Sequence, residues 1–173
     1  MKRIVIIGCS GSGKTTLANR ISQILSIGST DLDNLRFIEG ELTKKKSADE
    51  FILDVKKIVQ ADKWIVEGVY YNYGIDEILW NKADLIIWLD LPLWLLRLRI
   101  AKRSIGRLLH GNKDTKLHVS YKSEIDLFRS IPAIYSSTKT NYPKLLTKIS
   151  KQTKIININK NMSLDTIISY IDL

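Results

Sequence analysis

"RIVIIGCSGSGKTTLANRISQIL", residues 3–25, is the stretch whose reading decides the fold. Ile4 to Ile7 form a short, unbroken apolar run of β-branched residues, the pattern of a parallel strand buried on both faces. In "KTTLANRISQIL", Leu17, Ile21, Ile24 and Leu25 recur at i, i+4, i+7 and i+8, one face of a helix. The glycines between them suit neither element, but they let a backbone turn so that successive amides point inward. Gly8, Gly13, Lys14 and Thr15 fit G-x-x-x-x-G-K-[ST] with the required strand before and helix after. Such a loop cradles a polyphosphate. The helix start adds its positive dipole end, Lys14 reaches the β- and γ-phosphates, and the Thr15 hydroxyl ligates Mg²⁺. Nucleotide contacts are therefore expected along Gly8, Ser10, Gly11, Ser12, Gly13, Lys14, Thr15 and Thr16. Cys9, inside the loop, is either a thiol activated by the helix N-terminus or a small space-filler; the second reading is the plainer one.

Strand and helix patterns continue to alternate downstream. "SIGSTDLD" reads as a second, weaker strand that ends in acids. "SADEFILDVKKIVQA" opens with a capping box, Ser47 and Glu50, and lines Phe51, Val55, Ile58 and Val59 on one face. "WIVEG" and "ADLIIWLDLP" are buried-type strands, each closing on an acid. "LWLLRLRIAKRSIGRLL" reads as a helix with an arginine-bearing side, and "HGNKDTKLHVS" as a loop. Residues 121–150 read as helix broken near Pro132 and Pro143. "KIININ" is a fifth strand, and "SLDTIISYI" a closing helix capped by Ser163. The order predicts a single α/β domain over 1–173, with a parallel sheet and helices on both faces.

Composition narrows the class. Apolar residues make up 45% and charged residues 26% of 173 residues, the values of an ordinary globular domain. No apolar run approaches the length needed to span a bilayer. A lone cysteine leaves no disulfide framework, which suggests a cytoplasmic protein without a membrane partner. The net charge of +9 is uneven: residues 1–93 hold 12 Lys+Arg against 13 Asp+Glu, while residues 94–160 hold 15 against 3. That asymmetry fits a polyanionic partner, nucleic acid bound nonspecifically included, or simply a lysine-rich solvated surface.

Phosphoryl transfer needs a carboxylate near the metal, a group to orient the acceptor, and positive charge on the transferring group. In a parallel sheet these come from the strand ends that also carry the loop. Asp31, Asp33, Glu67 and Asp90 stand at such ends, with Asp33 and Glu67 placed ahead of Asp31, and Asp90 last. Asp33 or Glu67 would hold a metal-bound water or accept the proton of an acceptor hydroxyl. Arg99, Arg103 and Arg107 share one helical side at i, i+4, i+8, and planar guanidinium forks match phosphate oxygens. The alternative is a solvated basic face.

"GCSGSGKTTLA", "DLDNL", "WIVEGVY", "LIIWLDLPLWLLRLRIAKR" and "NYPKLL", in this order, resemble the adenylate-kinase-like P-loop proteins of the DNA topology modulation (FlaR) type, relatives of nucleoside monophosphate, shikimate and gluconate kinases. The resemblance covers nearly the whole chain. It implies a P-loop NTPase fold with a five-stranded parallel sheet of order 2-3-1-4-5 and a lid after strand 4, over about residues 104–125. It also implies that Glu67 orients the Mg²⁺ shell, where adenylate kinases carry an aspartate, and that Arg99 and Arg103 are lid-base arginines contacting phosphates. ATP as the nucleotide follows from the resemblance, and the guanine-reading N-K-x-D pattern of GTPases is read as absent. The chain departs from adenylate kinases after Glu67-Gly68, where "VYYNYG" replaces a proline-arginine pair. Arg36 is then the candidate for an acceptor phosphate. Tyr70, with Tyr71 and Tyr73, either stacks on an acceptor or packs the core. Two functions follow as expectations: an Mg²⁺-ATP-dependent kinase acting on a nucleotide, nucleoside or other hydroxyl compound, with Lys14, Asp33, Arg99 and Arg103 as its catalytic residues; or an ATP-binding regulator or ATPase linked to DNA topology.

Overall fold

A computed structural model describes residues 3–38, 41–68, 73–110, 121–149 and 152–169. The core is a five-stranded parallel sheet built from β1 (Arg3–Gly8), β2 (Ser29–Asp31), β5 (Trp64–Glu67), β6 (Leu85–Leu89) and β7 (Lys154–Ile158), in the order β2-β5-β1-β6-β7. Counting only these five strands, that is the expected 2-3-1-4-5. Central β1 pairs Val5 with Val66 on one side and with Ile86 on the other.

Side chains alternate across the sheet, and the alternation divides the core. Val5, Ile7, Trp64, Val66, Ile86 and Trp88 face one way, toward helices α3 (Ala48–Ile58), α4 (Ile75–Trp80) and α6 (Tyr121–Leu146). Ile4, Ile6, Ile65, Leu85 and Ile87 face the other way, toward α1 (Lys14–Leu25) and α7 (Leu164–Ser169). Because both faces are covered there, central β1, β5 and β6 read as continuous apolar runs. The predicted capping box opens α3: Glu50 N–H donates to Ser47 Oγ at 3.2 Å, and Ser47 N–H donates to Glu50 Oε2 at 2.8 Å. The Ser163 hydroxyl caps α7, accepting from Thr166 N–H at 3.1 Å.

Four local expectations are corrected. The second strand stops at Asp31, and Leu32–Leu35 form a one-turn helix, α2. The Asp31 carboxylate accepts from Asp33 N–H at 2.8 Å, an N-cap that ends the strand two residues before Asp33. A hairpin of β3 (Phe37–Ile38) and β4 (Glu41–Lys45) follows; strands this short give no periodic signal. Helix α4 went unpredicted for the same reason, at six residues. Finally, α6 runs unbroken through Pro132 and Pro143. Ile131 and Tyr142 are both fully buried beside the two prolines, so packing holds each segment while the missing backbone donors are tolerated. Of the span assigned to a lid, residues 104–110 continue α5 (Leu93–His110) and residues 121–125 open α6, while 111–120 lie outside the described residues.

Candidate active site

The C-terminal ends of β1, β2 and β5 converge. Gly8 leaves β1 beside Leu89 of β6, and Asp31 is the register partner of Glu67 across β2 and β5. The loop from Gly8 to Gly13 crosses this edge and hands the chain to α1. Gly13 is the N-cap of α1 at φ 98°, and no side chain caps the helix. Its first amides therefore stay open for an anion. Gly11, at φ 80°, sits so tightly under α5 that a Cβ there would lie 2.8 Å from Ile100 Cγ1 and 3.1 Å from the Leu96 carbonyl. Only glycine lets the loop lie that close to the helix.

Lys14 folds back over the loop, its ammonium donating to the Cys9 carbonyl at 3.4 Å. The Thr15 hydroxyl donates to Glu67 Oε1. Burial pushes the Glu67 carboxyl above the usual range, and the charges of Asp31 and Asp33 push the same way, while Lys14 and the Thr15 hydroxyl oppose the shift. Burial also raises Asp31, reinforced by the charge of Asp33 and opposed by the amides of Asp33 and Asn34 and by Lys14. Lys14, Thr15, Asp31, Asp33 and Glu67 thus form one electrostatic cluster.

That cluster fits Mg²⁺. Among the described residues no group of three or more His, Cys, Asp or Glu side chains could hold a metal alone. Mg²⁺, however, keeps most of its ligands as water and nucleotide phosphate oxygens, and needs one or two hard protein oxygens. Thr15 Oγ1 and the adjoining Glu67 carboxylate supply them, and crowded carboxylates with raised proton affinity gain from a nearby dication.

Asp33 stands on the exposed first turn of α2, beyond Asp31, and not at a strand end. Arg36 is buried. Its guanidinium carbon lies 5.3 Å from the ring centres of both Phe51 and Tyr73, and the group donates to the Ser47 carbonyl at 3.3 Å and the Tyr73 hydroxyl at 3.4 Å. Among the described residues it meets no carboxylate, although Arg36 is only 8% exposed. Tyr73 takes the packing role; Tyr70 and Tyr71 lie outside the described residues.

Arg99 donates from Nη1 to the Ser12 carbonyl at 2.8 Å and from Nη2 to Asn161 Oδ1 at 2.7 Å. It therefore braces the loop and ties it to the segment after β7. Asn161 escaped the sequence reading because "NKNMS" carries no motif; its place before the Ser163 cap was the one available signal. Arg103 is exposed one turn further along α5, and the Arg107 side chain lies outside the described residues. Asp90 accepts from Lys139 Nζ at 2.7 Å, which makes it a docking point for α6. Cys9 is buried against Leu95, Leu96 and Ile100. Burial pushes its thiol up, so the space-filling reading holds over the activated one.

One string needs correcting. Asn81-Lys82-Ala83-Asp84 does spell N-K-x-D. It lies at the opposite end of the sheet: Asp84 accepts from Arg3 N–H at 3.0 Å and Arg3 Nε at 3.1 Å, at the start of β1. A strand of five further residues, about 16 Å, separates it from the phosphate loop, so it reads no base there.

Comparison with known proteins agrees with this geometry. No family model matches the chain. A shikimate kinase of Clostridium botulinum (strain Loch Maree / Type A3) is 32% identical over 171 residues, covering 89% of this chain and 97% of the relative. Adenylate kinase 2 of Nostoc sp. (strain PCC 7120 / SAG 25.82 / UTEX 2576) is 30% identical over 158 residues, covering 76% and 82%. Among solved structures, the shikimate kinase of Bacteroides thetaiotaomicron superposes with a TM-score of 0.63 at 16% identity, covering 99% of each chain. That of Aquifex aeolicus gives 0.55 at 19%, covering 98% and 93%. None of these is a DNA topology modulation protein. With its phosphate loop, its parallel sheet of order β2-β5-β1-β6-β7 and relatives that match it nearly end to end, the chain belongs to the shikimate kinase/adenylate kinase-like family of P-loop kinases.

Proposed function

We propose that the protein transfers the γ-phosphoryl group of ATP to a hydroxyl of a small molecule that also carries an anionic group. The observation that carries this reading is the convergence of Lys14, Thr15, Asp31, Asp33 and Glu67 at one sheet edge beneath the uncapped start of α1. The amides of Gly11 to Thr16 and Lys14 hold the triphosphate. Thr15 and Glu67 would hold Mg²⁺, which would supply positive charge to offset that of the phosphates. Asp33, exposed at the mouth, accepts the acceptor hydroxyl proton as its oxygen attacks and ADP leaves. Arg103, exposed on α5, meets the transferring group, while Arg99 keeps the loop in shape. Arg36, buried without a carboxylate among the described residues, supports an anionic acceptor. The protein works in the cytoplasm in this reading.

The test is ADP release by the intact protein with Mg²⁺-ATP against a panel of hydroxy acids, sugar acids, nucleosides and nucleoside monophosphates. One acceptor class should raise turnover well above the basal rate, with the label of γ-³²P-ATP recovered on the acceptor. ATP hydrolysis indifferent to every acceptor would overturn the reading.

A further inference from the structure

The outer side of α5 carries exposed apolar residues. Trp94, Leu98 and Ile105 are 66%, 59% and 56% exposed. With the half-buried Ala101 they are spaced 4-3-4 along the helix, the a/d seam of a coiled coil and narrower than the broad apolar face of a helix that lies in a lipid surface. The seam runs about 17 Å, three turns. It is opposite the side from which Leu96, Arg99 and Ile100 reach the phosphate loop.

The residues flanking this seam choose the partner. Of the positions that flank the seam, Leu95 is buried and Ser104 half-buried, while Arg97 and Lys102 are exposed and basic; α5 contains no acidic residue. Arg97 also spreads its guanidinium over Phe128 of α6, 5.7 Å from the ring centre, which extends the apolar patch onto the neighbouring helix. A second copy of this chain fits poorly. Parallel pairing sets Arg97 against Lys102 of the other copy, and antiparallel pairing sets Lys102 against itself. Like charges across such a seam oppose association. We infer that the Trp94–Leu98–Ala101–Ile105 face of α5 docks an amphipathic helix of another protein, with apolar a and d residues and acidic residues flanking them.

The protein carries its own reporter. Trp64, Trp80 and Trp88 are buried and Trp94 is exposed, so a change at the seam shows in Trp94 emission and acrylamide quenching. The intact protein is titrated with a helical peptide of about 21 residues, Leu at a and d and Glu at e and g, and with the same peptide carrying Lys at e and g. The Glu peptide should shift emission to the blue saturably, protect Trp94 from acrylamide, and lose affinity as salt rises. Leu98→Ser should weaken it at least about tenfold, the scale of a lost buried leucine contact, and Ile24→Ser, exposed on α1, should not. The double variant Arg97→Glu, Lys102→Glu should bind the Lys peptide instead. The inference fails if the Glu peptide gives no saturable shift, or if both peptides act equally. It fails too if only phosphatidylglycerol vesicles shift Trp94, which would make the face a membrane contact, or if protein concentration alone does, which would make it a self-association surface.

Discussion

Strand register puts the carboxylates of Asp31 and Glu67 side by side, and burial raises the proton affinity of both. A carboxyl whose folded-state pKa lies above its unfolded value contributes stability that is fully present below the unfolded pKa and is lost as pH rises through the folded one. At neutral pH the ionised cluster therefore works against the fold. Glu67→Gln should raise the melting temperature at pH 7 by a few degrees, for a change of about 1 kcal/mol. The gain should disappear below about pH 4, where an ordinary glutamate protonates. Melting curves at both pH values check this; an equal gain at both would remove the electrostatic explanation. The same variant should bind Mg²⁺-ATP more weakly, because it loses a hard oxygen beside Thr15. Lys14→Ala should lose most nucleotide affinity and all turnover, by calorimetry and coupled assay. Asp33→Asn and Arg103→Ala should instead keep Mg²⁺-ATP affinity within about tenfold of the parent while slowing single-turnover transfer by roughly 10³-fold, as expected of groups that act in the transition state. Parental single-turnover rates in both variants would exclude them as the catalytic pair. The sequence does not separate Asp31, at the end of β2, from Asp33, on the helix that follows. The N-cap that separates strand from helix is a local hydrogen bond with no spelling of its own.

Helix α5 joins three parts of the molecule: it covers Gly11, braces the loop carbonyl of Ser12 through Arg99, and reaches Asn161 beyond β7 with the same guanidinium. Arg99→Ala and Asn161→Ala should each weaken ATP binding, the arginine more. The double variant should be no weaker than Arg99→Ala alone, since Asn161 acts through the arginine. Titration of the three variants reads the coupling; additive losses would mean Asn161 has an independent role. The arginine repeat was legible from its i, i+4 spacing, but its division of labour was not. Arg99 and Arg103 share a helical side, and only the contacts with Ser12 and Asn161 identify Arg99 as the bracing residue. Helix α6 teaches the converse. Two prolines predict interruptions, yet buried Ile131 and Tyr142 outweigh them. Lys139, bonded to Asp90 and lying 5.6 Å from the Tyr135 ring and 5.9 Å from the Trp88 ring, docks this helix on the end of β6. Lys139→Ala should destabilise the protein by about 1–3 kcal/mol by leaving Asp90 with an unmet charge, and adding Asp90→Asn should restore much of the loss in urea unfolding.

At the scale of the whole molecule, the basic half of the sequence is spread over α5, α6 and the segments beyond them, with no element among the described residues that reads bases. No helix among the described residues is long and apolar enough to cross a membrane. Any DNA binding should therefore be independent of sequence and should fall steeply with salt; a sequence-selective footprint that survives 200 mM salt, where phosphate contacts alone have weakened, would show a reading element after all. Local patterns determined the architecture by themselves. Apolar runs bounded by glycine or acid marked three of the five sheet strands clearly, β1, β5 and β6, because strands buried on both faces must be apolar throughout. The phosphate loop was legible because one backbone conformation needs those residue types at those positions. What depended on tertiary structure was every assignment made by distant contact: Asp31 against Glu67, Arg36 between Phe51 and Tyr73, Arg99 on Ser12 and Asn161, and the removal of N-K-x-D to the far end of the sheet. Those partners lie from 15 to 87 residues apart in the chain. Strand register and helix docking bring them together, and neither leaves a periodic trace at the residues concerned.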